Sequence, residues 1–222
     1  MDWAALSVSL RLAALTCLVL LPVGLLLGRA LARARFRAKP LCEALVALPL
    51  VLPPTVLGFY LMMGFGQEAP LGALWQRLTG SGLNFTFTGI LLASLVANLP
   101  FAVQPVQRAF EAIPPNLREA AWCSGLSPWQ TLWRIELPLV WPGLVSALAL
   151  TFAHTLGEFG VILMVGGAID GETRTLAIAI YDRVQAFDET GAATMSAMLL
   201  AVSFVTIGVV YGLAGRRRWR HG

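Results

Sequence analysis

The residues best placed to do chemistry are His154 and Glu158, which lie four positions apart in a long apolar run. On a helix this spacing puts both side chains on one face, where they could relay protons or line a path for ions. The alternative is a pair that only satisfies itself at a helix interface, and the sequence leaves both interpretations open. A charged Glu158 would repel a divalent anion about 8 Å away by about 4 kcal/mol at an effective dielectric constant of about 20. A dianionic cargo would therefore require Glu158 to be neutral, paired or off the path.

A second unusual feature is a cluster of prolines in another apolar run. Pro49, Pro53 and Pro54 fall within six residues, and each removes a backbone donor and clashes with a preceding carbonyl. In hydrocarbon the freed carbonyls need partners in the protein or in a water-filled cavity, so we predict a broken or strongly kinked helix. The break could line a path or only improve packing. The residues expected along such a path or its gate are Pro53, Pro54, Thr55, Asn98, Gln104, Thr151 and Glu158.

The sequence carries no motif for nucleotide or metal chemistry. It has neither the phosphate-binding loop G-x-x-x-x-G-K-[ST] nor the zinc-binding pattern H-E-x-x-H, and its three cysteines are scattered without ligand spacing. We therefore expect no catalytic residues, no metal and no cofactor. If ATP drives this protein, a separate subunit hydrolyses it.

Composition places these residues in a membrane. The 222 residues are 57% hydrophobic and only 13% charged, with a mean hydropathy of +0.73, which leaves too few charges to cover a soluble globule of this size. A span takes about 20 mostly apolar residues. We predict an all-α integral membrane protein, a bundle of five transmembrane helices with six as the alternative count. The predicted spans are 5–28, 44–66, 83–104, 139–165 and 192–214.

The basic residues are unevenly placed along the chain. With the amino terminus outside, twelve of the sixteen lysines and arginines fall on one side of the membrane: five between residues 29 and 39, three between 108 and 134, and four after residue 215. Cytoplasmic loops carry such an excess. We therefore predict an outside amino terminus and a cytoplasmic carboxyl terminus.

A polar stretch, residues 113–138, is predicted to form two short cytoplasmic helices between two membrane spans. In the first helix Asn116 can act as the amino-terminal cap, with Glu119 reaching back to complete a capping box. Gly125 can take the left-handed conformation that ends this helix. The two helices would form a hairpin outside the bilayer.

The second helix of this hairpin has its own start and stop signals. Ser127 and Gln130 can form a capping box, Pro128 suits the first helical position, and Pro138 is expected to stop the helix. The hairpin could pack on the protein's own surface or form a docking knob for a soluble partner. DNA binding is disfavoured, because two cations are too few to neutralise phosphates.

The same hairpin resembles the cytoplasmic signature of the membrane subunits of ABC importers, which reads Glu-Ala-Ala, three residues, Gly, nine residues, Ile-x-Leu-Pro. The resemblance implies a single permease domain over residues 1–222, with 113–138 as its coupling segment. It also implies the partners: two cytoplasmic ATPase subunits, an external binding protein and the lipid bilayer, but no nucleic acid. The ATPase-coupling residues would be those of the signature: Glu119, Ala120, Ala121, Gly125, Ile135, Leu137 and Pro138.

Three further stretches, 48–58, 154–160 and 171–175, resemble the molybdate-transporter permeases, whose relatives carry tungstate or sulfate. The resemblance implies a permease in the inner membrane of a prokaryote that imports an oxyanion, with molybdate favoured over tungstate and sulfate. The stretch 171–175 would be an external loop, with Glu172, Thr173 and Arg174 facing a partner or the outer mouth.

Five helices are few for a pore, so we predict a homodimer with the pathway on its two-fold axis. Two other classes of function stay open at this point. One is an ion-driven secondary transporter that uses Glu158 and His154 as a proton relay. The other is a membrane scaffold or sensor that recruits a partner through the hairpin.

Overall fold

The computed structural model describes residues 2–218, and for residues 213–218 the backbone alone. Within these residues the chain is helical and contains no strand. The helices are α1 (Trp3–Arg33), α2 (Lys39–Val51), α3 (Pro54–Gly64), α4 (Pro70–Thr79), α5 (Phe87–Glu111), α6 (Pro115–Cys123), α7 (Pro128–Thr131), a π-helical turn (Leu132–Glu136), α8 (Leu137–Gly157), α9 (Gly160–Gly166), α10 (Leu176–Gln185) and α11 (Glu189–Arg218).

Four helical stretches are long and apolar enough to cross a membrane: α1, α5, the stretch Pro128–Gly157 and α11. Helices α2 and α3 make a fifth span if they are counted together, although they meet at an angle of 109°. The predicted count of five holds on that basis, and the described part of the chain offers no sixth span by these criteria. The break predicted from the prolines is confirmed, because α2 ends at Val51 and α3 begins at Pro54.

The centre of the bundle consists of α1, α5 and α8, which pack against one another. Two glycines one turn apart let α1 and α5 approach closely. A Cβ atom on Gly24 would lie 2.5 Å from the carbonyl oxygen of Ala102, and one on Gly28 would lie 2.9 Å from the backbone nitrogen of Gln107. Small residues at this spacing are common where membrane helices touch.

The fourth predicted span is wrong as a single helix over 139–165. Helix α8 ends at Gly157, Glu158 is extended (φ −67°, ψ 123°), and α9 starts at Gly160. The backbone N–H of Val161 donates to Glu158 Oε1 at 3.3 Å. The carboxylate thereby caps the new helix and satisfies one of the donors that the break exposes.

The hairpin prediction is half right. Helix α6 begins at Pro115, with Pro114 as its cap residue, and Asn116 lies inside the helix without a capping hydrogen bond. The Asn116–Glu119 capping box is therefore wrong, because a proline suits the first helical position and moves the start upstream. Gly125 is left-handed, with φ at 77°, as predicted.

The second helix starts as predicted but does not stop. Both hydrogen bonds of the Ser127–Gln130 capping box are present. Pro138, which was expected to end the helix, lies in the first turn of α8, and the chain runs on as a continuous span. Pro138 has no N–H to donate, and the preceding turn widens into a π turn in which Leu137 N–H bonds to Leu132 O. A proline is thus absorbed without a break.

Candidate functional site

The two helix breaks of the bundle face each other. A Cβ atom on Gly160 would lie 2.8 Å from Pro54 Cβ, and one on Gly58 would lie 2.8 Å from Met164 Cβ. Helices α3 and α9 therefore touch along a glycine-lined contact. The break at Pro53 and the break at Glu158 are brought to the same place by this contact, although more than 100 residues separate them in the sequence.

His154 lies at the centre of this junction. Its Nδ1 is 3.0 Å from Asn98 Oδ1 and 3.6 Å from Glu158 Oε2. Its ring stacks on Phe101 with 4.3 Å between the ring centres. Asn98 Nδ2 donates to Ser94, so Asn98 Oδ1 is left to accept and His154 Nδ1 is the nitrogen that carries the proton. The sequence suggested His154 only as one half of a pair with Glu158. In the structure it also contacts Asn98 and Phe101, so it is the hub that connects these three residues.

His154 belongs to a string of hydrogen-bonded polar side chains that runs across α1, α5 and α8. Thr16 Oγ1 and Ser94 Oγ are 3.0 Å apart, and Asn98 Nδ2 donates to Ser94 Oγ at 3.2 Å. Thr16, Ser94 and Asn98 are fully buried. From Asn98 the string continues through His154 to Glu158. Each of these groups finds a partner within the protein, as polar groups inside a bilayer must.

Glu158 is buried, with 6% of its surface exposed. One oxygen accepts from Val161 N–H and the other lies near His154. The two residues were expected on one helical face, and they do meet, although Glu158 lies just past the helix end. The imidazole of His154 compensates the charge of this carboxylate only when it is protonated, so a dianionic cargo at this site requires a protonated His154 or a neutral Glu158.

Two cavities open at this junction, with volumes of about 120 Å³ and about 420 Å³. Both are lined by Pro54, His154 and Glu158, and the larger one also by Thr55. Among the described residues that line them, His154 and Glu158 are the only ionisable ones. The site thus offers backbone at two breaks, a few polar side chains and no cationic trap, which suits passage of a small polar solute.

Two of the predicted path residues do not reach this site. Gln104 is half-buried on α5, almost two turns beyond Asn98, and lines neither cavity. Thr151 is buried on α8, and its hydroxyl has no hydrogen-bond partner among the described residues. Pro53, Pro54 and Thr55 are exposed at the first break. Only part of the predicted path residues therefore lies at the junction. His154, which was not among them, lies at its centre.

The predicted coupling residues form a second surface, at the end of the bundle where α5 stops. Glu119, Ala120 and Gly125 are exposed, and Ala121 is buried with 3% exposure. Ile135 and Leu137 are half-buried, and Pro138 is exposed. Three large aromatic side chains are exposed beside them: Trp122, Trp129 and Trp133.

The residues predicted to form an external loop are mostly engaged within the chain. Thr173 is fully buried, and its hydroxyl donates to Gly166 O at 2.7 Å. Arg174 pairs with Asp170 at 2.7 Å, Asp182 at 3.1 Å and Asp2 at 3.4 Å. The hydrogen bond with Asp170 and the charges of Asp182 and Asp2 raise the pKa of Arg174. Glu172, in contrast, is exposed and available to a partner.

Sequence reasoning missed a buried acid that pairs with three arginines. Glu136, in the π turn, is fully buried and accepts hydrogen bonds from Arg29, Arg33 and Arg118. The signal was present: Glu136 is the lone acid in the stretch 135–138 that ends the coupling signature, directly before an apolar span. An acid in that position needs cationic partners.

Residues 21–219 match the family model described as the binding-protein-dependent transport system inner membrane component. The chain therefore belongs to this family of inner-membrane permeases, and as a permease it is a transport subunit and not itself an enzyme. The predicted ABC-importer family and the all-α membrane fold are confirmed.

Individual relatives and one solved structure are similar to the chain to different extents. The chain is 46% identical over 221 residues to the molybdenum transport system permease protein ModB of Azotobacter vinelandii, with 100% of this chain and 96% of the relative covered. It is 32% identical over 207 residues to a probable sulfate transport system permease protein, cysT, of Zygnema circumcarinatum, with 93% and 72% covered. Among solved structures, a bacterial ABC transporter involved in the import of the acidic polysaccharide alginate shares the fold, with a TM-score of 0.79 and 18% identity over 96% of this chain and 78% of that one.

Proposed function

We propose that this chain is the membrane-spanning subunit of an ATP-driven importer of molybdate. The observation that carries the proposal is the 46% identity to a molybdenum permease along the whole chain. The junction of the two helix breaks is compatible with such a cargo. A tetrahedral dianion would exchange part of its hydration for polar side chains and backbone groups there, and the absence of a lysine or arginine among the described lining residues would let it leave again.

The energy for transport comes from outside this chain. Two ATPase subunits dock on the exposed surface around Glu119, Ala120 and Gly125, and a separate external protein binds the anion and delivers it. High affinity resides in that binding protein, so the permease alone binds molybdate weakly. A symmetric dimer of this chain completes the pathway. Its support is that α2 has no buried residue and that α3 exposes Phe59 and Tyr60 next to the first break.

The cargo is tested by uptake of labelled molybdate into vesicles that hold the permease, the ATPase and the binding protein. We expect uptake to require ATP and the binding protein, tungstate to compete strongly because it is nearly isosteric, and sulfate to compete weakly at the same concentration. Equal competition by sulfate and tungstate would favour the second candidate, a sulfate permease, which the 32% identity to a sulfate relative supports. Uptake driven by a proton gradient without ATP would contradict both.

The orientation is proposed from the placement of the basic residues. Five cations lie between residues 29 and 39, from the last turns of α1 to the first residue of α2, and three lie between 108 and 134 at the same end of the bundle. This end is proposed to be cytoplasmic, and the amino terminus to lie outside. The four cations after residue 215 lie where no side chain is described, and the chain terminus itself lies outside the described residues.

Reporter fusions test this orientation. Fusions after Lys39 and after Gly222 are expected to report a cytoplasmic location, and a fusion after Gln76, in α4, an external one. The fusion after Gln76 serves as the control, because it follows the second predicted span and is therefore expected on the other side of the membrane from Lys39. An external signal at Gly222 would rule out five spans with an outside amino terminus.

A further inference from the structure

Glu136 is fully buried and pairs with three arginines. Its Oε2 accepts from Arg29 Nε at 3.0 Å, and its Oε1 accepts from Arg118 Nε at 2.8 Å and also from Arg33 Nη2. One carboxylate thus holds three guanidinium groups, whose own side chains are 18% to 31% exposed. We refer to these four residues as the arginine clamp.

The clamp joins segments that are distant in the sequence. Arg29 and Arg33 are one turn apart at the end of α1, and Arg118 lies in α6, next to the proposed docking residue Glu119. Glu136 lies in the π turn that leads into α8. Arg118 also donates from Nη2 to Phe110 O near the end of α5, at 3.0 Å. The clamp therefore binds the coupling segment, residues 113–138, which we call the docking segment, to the ends of both α1 and α5.

Packing beyond the clamp holds α1 against α5. Gly28, next to the clamp residue Arg29, lies against the backbone of α5, and Gly24 repeats the contact one turn further in. Thr16 on the same helix begins the polar string that ends at Glu158. A displacement of the docking segment that carried α1 with it would thus reach the junction of the two breaks through continuous contacts.

A buried carboxylate ties its partners together more firmly than an exposed one. With no water around Glu136, its charge is compensated only by the three arginines, so separating them leaves a charge without partners. Movement of α6 away from α1 is therefore opposed. The π turn beside Glu136 is the widened, irregular part of this stretch, and such turns are common at functional sites.

We propose that Glu136 is a positioning residue for transport: through Arg29 and Arg33 it makes the end of α1 follow the docking segment when the ATPase moves that segment. This inference rests on the proposed docking of the ATPase at residues 119–125. It assigns to one carboxylate the transfer of motion from the docking surface to the bundle.

The test compares uptake per ATP hydrolysed in vesicles that contain the whole complex, with labelled molybdate as the probe. In Glu136→Gln we expect the ATPase to copurify normally and to hydrolyse ATP, while uptake per ATP falls about tenfold. Glu136→Asp, which keeps the charge, should restore the ratio to within about twofold. The matched control is Glu111→Gln, which removes a partly exposed carboxylate at the same end of the bundle and should leave the ratio unchanged, because exposed pairs contribute little.

If Glu136→Gln does not assemble, Arg33→Gln decides the matter, because it removes one contact to α1 and leaves two arginines on the carboxylate. We expect it to lower uptake per ATP while the complex stays intact. A variant that yields less complex but an unchanged ratio in the complex that remains would show that the clamp only stabilises the fold. If a variant that disrupts docking at Gly125 uncouples transport and the clamp variants do not, the clamp inference fails alone. If neither uncouples, the docking proposal fails with it.

Discussion

Replacing Gly125 by valine is expected to uncouple ATP hydrolysis from uptake while the protein still inserts in the membrane. Gly125 is left-handed, with φ at 77°, and the turn it makes lets Leu126 N–H bond to Ala121 O at 3.1 Å and its own N–H bond to Trp122 O at 3.0 Å. A β-branched side chain opposes this conformation by about 2 kcal/mol. The end of α6 would be remodelled, and the proposed docking surface with it.

The matched control is Gly125→Asn, because asparagine tolerates the left-handed conformation far better than valine. A Cβ atom at this position meets no atom of a more distant part of the chain within 4 Å, so the two variants differ in backbone strain and not in contacts of the Cβ atom. The measurements are uptake and ATP hydrolysis by the reconstituted complex, together with the amount of ATPase that copurifies. Normal uptake by Gly125→Val in a normally assembled complex would mean that this hairpin is not the coupling element.

Replacing Gly160 by valine is expected to reduce uptake about 30-fold while ATPase docking is retained. The new Cβ atom would lie 2.8 Å from Pro54 Cβ, and a proline ring cannot rotate away. Helix α9 must then move off α3, which opens the contact between the two breaks. Overpacking of this kind costs about 2 kcal/mol, and a bias of that size against the working geometry lowers its population about 30-fold.

A glycine with free space around it provides the comparison. Gly208 lies in α11, and a Cβ atom there meets nothing within 4 Å. Gly208→Val should therefore transport normally, and copurification of the ATPase should be unchanged in both variants. Near-normal uptake by Gly160→Val would separate the α3–α9 contact from transport.

The fold was largely predictable because its determinants are local. Three closely spaced prolines predict the break between α2 and α3, and the Ser127–Gln130 pattern predicts a capping box that is present with both hydrogen bonds. Pro138 shows the limit of such reasoning. A missing N–H can end a helix or be absorbed by a π turn, and packing of the whole span decides between the two outcomes.

The site was less predictable because its parts come together only in three dimensions. No proline in the sequence marks the break at Glu158. The side chain that accepts a hydrogen bond from the new helix is that of Glu158 itself, which the sequence predicts to be helical. The role of His154 as the hub depends on Asn98 from another helix. Two of the three arginines that pair with Glu136 lie more than 100 residues away in the sequence. Helical spacing rules predict contacts only between residues a few positions apart, so they could not predict these pairs.

The exposed tryptophans of the docking segment have a consequence for the life of this protein in the cell. Trp122, Trp129 and Trp133 are each more than half exposed, and an exposed apolar patch of this kind marks an interaction site or favours aggregation while it stays uncovered. A partner that covers it stabilises the folded subunit by mass action, by about 2.7 kcal/mol at a hundred times the dissociation constant. On the proposed docking, the permease without its ATPase is therefore expected to be the less stable form.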